Sequence, residues 1–148
     1  MKENICIRKL NANEIENALD LTWRVFVEYE APDYTREGVD EFYKSIHDES
    51  FVSKLDFYGA FHISCMIGVI AARNEGSHIA LFFVDGKYHR QGIGKSLFEY
   101  LRANCNCNKM TVNSSPYAIK IYRRLGFKET DTEQVVNGLR FTPMEQNL

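Results

Sequence analysis

Ile79-Ala80-Leu81-Phe82-Phe83-Val84 runs for six residues without a polar side chain, and a loop containing Gly92-Ile93-Gly94 follows it. A strand with no alternation has no face to offer water, so both of its faces need cover. A chain built around it must place layers on each side of a sheet. At 148 residues it has the usual size for one such core. Its apolar share of 45% and aromatic share of 13% are enough to fill that core.

Periodicity assigns the remaining elements. Ile5 to Leu10 alternates and reads as an edge strand. Asn11 and Glu14 stand at capping-box spacing, and Ile15, Ala18, Leu19, Thr22, Phe26 and Tyr29 mark the inner face of a helix. Beyond Ala31-Pro32-Asp33, Thr35 caps a second helix with Val39, Phe42, Tyr43 and Ile46 inward. Leu55 to Ile63 and Met66 to Ala72 are β-rich, with a turn at Arg73-Asn74-Glu75-Gly76. A helix is predicted from Gly92 to about Ala103, with Ile93, Leu97, Tyr100 and Leu101 inward, then a short strand from Lys109 to Val112.

Ser115-Pro116 opens a further helix, with Ala118, Ile119, Tyr122 and Leu125 inward and Gly126 as its stop. Phe127 onward and Leu139 to Met144 are the last strands, with Val136-Asn137-Gly138 as a turn. The order predicts one mixed α/β domain over 1–148. Its central sheet is mixed but mostly antiparallel, of about seven strands, flanked by about four helices.

A net charge of −2 argues against a nucleic-acid binder working through a broad basic face. Nothing resembles a signal peptide, and no stretch approaches the ~20 apolar residues that cross a bilayer, so a soluble, cytoplasmic protein with no membrane partner is expected. Cys6 and Cys65 lie in apolar runs and read as small core residues. Cys105 and Cys107 read as reduced thiols in a polar loop. No second Cys or His pair stands at finger-like spacing, so no metal is expected.

The glycine loop fits neither common phosphate-binding pattern. A triphosphatase loop ending at Gly94-Lys95-Ser96 needs glycine where His89 stands, and the third glycine of a dinucleotide loop falls on Leu97. The physics survives the failed labels. A buried strand enters a loop with two glycines and then a helix, whose first amides point outward unpaired, with Arg90 and Lys95 alongside. One reading is an anion site suited to a diphosphate; the other is a tight turn with a solvated basic rim.

Val84-Asp85-Gly86-Lys87-Tyr88-His89-Arg90-Gln91-Gly92-Ile93-Gly94-Lys95-Ser96-Leu97 resembles the acyl-CoA loop of the GNAT N-acetyltransferase superfamily: Gln or Arg, two residues, glycine, any residue, then glycine or alanine. His89 departs from it at the first position. Downstream, Val112-Asn113-Ser114-Ser115-Pro116-Tyr117-Ala118-Ile119-Lys120-Ile121-Tyr122-Arg123-Arg124-Leu125-Gly126-Phe127 resembles the family's later motif, a tyrosine followed by Leu-Gly-Phe.

The resemblance implies a GNAT-like fold and transfer of an acetyl group from acetyl-CoA to a primary amine of a small molecule or peptide, by direct attack in a ternary complex. An acyl-CoA sensor without turnover is the alternative. The diphosphate would rest on Arg90, Gln91, Gly92, Ile93, Gly94, Lys95 and Ser96. The pantetheine arm would pair with Phe82, Phe83 and Val84 as an added strand, where a main-chain amide would polarise the thioester carbonyl.

Tyr122 matches the family's general acid, a role compatible with its also being a core aromatic. His78 stands where histone-type members of the family carry a glutamate, and so could serve as the base; it also reads as a surface histidine at a hairpin end. Asn113 either touches the ligands or caps the next helix. Glu28 and Glu30 are rival bases, and with Tyr29 they form an acidic, aromatic segment suited to a cationic acceptor, or simply a solvated helix end. Homodimers are common in the family; no feature of the sequence decides this.

Overall fold

The computed structural model of the chain describes residues 4–148. Capping acts where its spacing places it: Glu14 Oε1 accepts from the Asn11 N–H at 2.8 Å, and Thr35 Oγ1 accepts from the Gly38 N–H at 3.4 Å. The order is β1 (Ile5–Lys9), α1 (Ile15–Tyr29), α2 (Arg36–Ile46), a one-turn α3 (Glu49–Val52), β2 (Asp56–His62), β3 (Cys65–Arg73), β4 (His78–Val84), α4 (Ile93–Asn104), β5 (Lys109–Ser114), α5 (Ile119–Arg124), β6 (Lys128–Glu129), β7 (Gln134–Val136) and β8 (Leu139–Asn147). Among the described residues this makes eight strands and five α-helices, one more of each than the periodicity predicts.

The sheet runs β1-β2-β3-β4-β5-β8-β6, with β7 also paired to β8. Every pairing is antiparallel except β4–β5, which is parallel and only two residue pairs long: His78 opposite Thr111 and Ile79 opposite Val112. Beyond Ile79 the two strands part. The β3–β4 register also slips, with Leu81 opposite Ala71 and Ile79 opposite Ala72, so Ala80 is a bulge without a partner in β3.

Two cores follow from the two faces. Ile67, Ile70, Ile79, Leu97, Leu101, Met110 and Tyr122 pack on the α4 side. Ala18, Val25, Phe26, Val69, Leu81 and Phe83 pack on the α1–α2 side. Cover on both faces of β4 is incomplete: Ile79, Leu81 and Phe83 are buried, while Ala80, Phe82 and Val84 are half-buried beside the gap.

Several sequence expectations need correction. Helix α5 starts at Ile119, not at Ser115-Pro116, because Ser115 closes a turn: its Oγ and its carbonyl both accept from the Ala118 N–H, at 3.2 and 3.1 Å. Proline favours the second position of such a turn as much as the first of a helix. Tyr43 is 47% exposed and stacks edge-on to Trp23 at the surface. Cys6, on the edge strand, and Cys65, opening β3 at its hairpin, are exposed rather than core.

Cys105 and Cys107 form a disulfide rather than free thiols; the short loop holds their Cα atoms 5.6 Å apart, within bridging range. Val136 belongs to β7, leaving Asn137 (φ 52°) and Gly138 (φ 81°) as the left-handed pair of a tight hairpin turn.

Candidate active site

The parting of β4 from β5 creates the site. The Asp85 N–H donates to the Ile67 carbonyl at 2.8 Å, and the antiparallel ladder alternates from there. Phe83, opposite Val69, therefore turns its backbone groups toward β3, while Phe82 and Val84 turn theirs into the gap. The Val84 carbonyl oxygen is already engaged by His89 Nε2 at 2.7 Å. His89 thus has a positioning task of its own, folding the loop back on the strand it leaves.

The loop is held from both ends. Burial disfavours charge on Asp85, yet hydrogen bonds from the Lys87 N–H (2.9 Å) and Arg24 (3.1 Å) keep its carboxyl below the usual range. Tyr29 reaches the loop instead of the cavity wall: its ring packs at a tilt against His89 and Tyr117, and its hydroxyl fills the place a Cβ on Gly86 would take. Arg90 (φ 64°) and Gly92 (φ 83°) take left-handed backbone, which Gly92 adopts without strain.

The Ser96 N–H is the first to find an intrahelical acceptor, the Gly92 carbonyl at 3.0 Å. The six amides from Arg90 to Lys95 have no acceptor among the described residues. A cradle of that kind, opening a twelve-residue helix beside two exposed cations, suits a diphosphate.

A cavity of about 290 Å³ continues from the gap toward α2 and the β7–β8 hairpin. Tyr122, Glu30, Asn113 and His78 all line it; Glu28 does not, and is exposed. The Tyr122 ring packs against Phe82 and Phe127, at 5.9 and 5.5 Å between centroids, and its hydroxyl makes no hydrogen bond among the described residues. Burial, with the Glu30 carboxylate nearby, pushes its pKa above the ordinary phenol value.

Burial also pushes the Glu30 carboxyl up to about 7, with Asp33 adding repulsion and the Ser115 side chain acting in the opposite direction. His78 is driven down to about 4 by burial and by Arg73, and its Nδ1 lies 2.8 Å from Thr111 Oγ1. The sequence did not separate Glu30 from Glu28. Only the packing of the end of α1 against the chain after β5 encloses one carboxyl and leaves the other in water.

A family model described as an acetyltransferase (GNAT) domain matches residues 30–148. The chain belongs to the GNAT acetyltransferase family. No curated protein sequence matches it, but solved structures do. A GCN5-related N-acetyltransferase from Rhodopseudomonas palustris superposes with a TM-score of 0.81 at 18% identity, covering 100% of this chain and 98% of that one. The PaiA N-acetyltransferase of Thermoplasma acidophilum, in complex with coenzyme A, gives 0.76 at 20% identity, covering 99% and 100%. Arabidopsis thaliana Naa50, in complex with the bisubstrate analogue CoA-Ac-MVNAL, gives 0.69 at 18% identity, covering 99% and 100%. The GNAT fold thus extends through residues before the family match, including β1 and most of α1. No helix among the described residues is long and apolar enough to cross a membrane.

Proposed function

We propose that this GNAT protein transfers an acetyl group from acetyl-CoA to a primary amine, by direct attack while both are bound. The six unpaired amides at the start of α4, leading into the strand edge freed at Phe82, carry the reading. Those amides and the Lys95 and Arg90 side chains hold the diphosphate, and Phe82 and Val84 offer backbone groups to the pantetheine arm. Acetyl-CoA supplies an activated thioester; the rest of the chemistry is proton handling and charge placement by the chain.

A gap-facing amide of β4 donates to the thioester oxygen. Glu30 takes the proton as the amine attacks: at about 7, its carboxyl is half-ionised at neutral pH and a stronger base than an ordinary carboxylate. We assign the base to Glu30 over His78, whose pKa of about 4 makes it a weak base and whose Nδ1 is engaged. Tyr122 donates a hydrogen bond to the departing sulfur. Its raised pKa makes outright proton transfer to a thiolate of pKa ~8.5 uphill.

The test is thiol release from acetyl-CoA with a panel of primary amines. Amine-dependent release is expected, with Tyr122→Phe lowering kcat on the order of 10²-fold. Thermal stabilisation by acetyl-CoA without release from any amine would instead make the protein a binding module. Indifference to CoA, with stabilisation by magnesium ATP, would overturn the assignment of the loop.

A further inference from the structure

The cavity has a second end whose chemistry the transfer step does not use. Arg73 and His78 face each other across β3 and β4, and His78 faces Thr111 across β4 and β5, so the three form a row on the sheet. Arg73 has the same parity on β3 as Val69 and Ala71, which pack on the α1–α2 side, so the row floors the cavity on that side. Glu41 and Ser45 of α2 lie in the opposite wall, and the Ser45 hydroxyl donates to the Glu41 carbonyl at 3.0 Å.

Arg73 and Glu41 are both half-buried. Among the described residues neither side chain makes an ion pair or hydrogen bond, with each other or with any other group. Phe42, Leu81 and Phe83 give the same cavity apolar lining. Arg140, the other guanidinium of the lining, is already engaged by Glu133 and the Asp33 carbonyl.

We propose that the acceptor is a free α,ω-diamino acid, of which lysine and ornithine are the simplest: Arg73 holds its α-carboxylate and Glu41 its α-ammonium, while its terminal amine reaches Glu30. The inference rests on the transferase reading for the direction in which the amine points. A head group with both charges on one carbon matches two opposite, mutually unbonded charges on facing walls. A plain diamine would give Glu41 an ammonium but leave Arg73 without a carboxylate. His78 is neutral, so Arg73 supplies the positive charge at this end.

Length agrees with this assignment. Phe82 lies four residues beyond His78 on β4, and because the bulge at Ala80 takes up one of them the span is about 10 Å at the usual strand rise. A stem of three or four methylenes together with the arginine side chain spans that distance. An α-amine next to its own carboxylate does not.

The experiment compares four amines as acceptors: lysine, cadaverine, 6-aminohexanoate, and lysine blocked at both α-groups as in a peptide. Calorimetric binding of each in the presence of CoA is measured in parallel. We expect kcat/KM for lysine to exceed that for each truncated or blocked analogue by at least tenfold, with the same order in binding. Arg73→Gln should narrow the gap between lysine and cadaverine to less than threefold, and Glu41→Gln the gap between lysine and 6-aminohexanoate.

Equal turnover of lysine and cadaverine by the unaltered protein, or preference for blocked lysine, overturns the inference and leaves the transferase reading intact. Arg73-dependent binding of lysine without turnover of any amine sinks the transferase reading and leaves the head-group site standing. Equal binding of all four amines removes the head-group site.

Discussion

Glu30 and Tyr122 show how one residue's chemistry depends on enclosure. A carboxyl raised from 4.5 to about 7 holds a proton in the folded protein that the unfolded chain has released, between those two values. Native stability from this group is therefore present below about pH 4.5 and is lost as pH rises through about 7. Glu30→Gln should stabilise the protein at pH 8 relative to pH 4, by up to about 3 kcal/mol, read from urea unfolding at both values. Activity follows the opposite sign. In the unaltered enzyme kcat/KM should climb as pH passes about 7, and Glu30→Gln should remove that step while lowering the plateau. A step that persists in Glu30→Gln would return the base to another group.

At the scale of elements, legibility depended on whether a function is carried by main chain or by packing. Glycines at fixed intervals after a strand mark a loop that leaves amides free at a helix start, so that placement of Gly92 and Gly94 could be read directly, as could the inward face of Tyr122, whose helical stripe is local. The bulge at Ala80, the parting of β4 from β5 and the row Arg73–His78–Thr111 are matters of register between strands far apart in the chain, and no local pattern encodes them. The roof of the cavity is another such case. Gly38 on α2 lies against the turn between β7 and β8 so closely that a Cβ on it would strike the Gly138 carbonyl oxygen. Gly38→Ala should cost about 1–3 kcal/mol, measured by urea unfolding, since one backbone must move off another. It should raise KM for the acceptor while leaving CoA affinity unchanged, because the roof shifts and the α4 cradle does not.

At the scale of the whole molecule, the sheet is two antiparallel leaves, β1 to β4 and β5 to β8, joined by the parallel pairs His78–Thr111 and Ile79–Val112. A ligand that adds a strand between the leaves binds the native form alone. Coenzyme A at a hundred times its dissociation constant should then add about 2.7 kcal/mol of stability. Differential scanning calorimetry with and without the ligand reads this directly, and an unmoved transition would contradict it.

So short a join would give a coenzyme bound as proposed a mechanical part as well as a chemical one. While lodged it would serve as the keystone of an arch, and on the proposed reaction each turnover would have to withdraw it before the next could begin. The pace of the enzyme should therefore follow how readily the arch lets its keystone go.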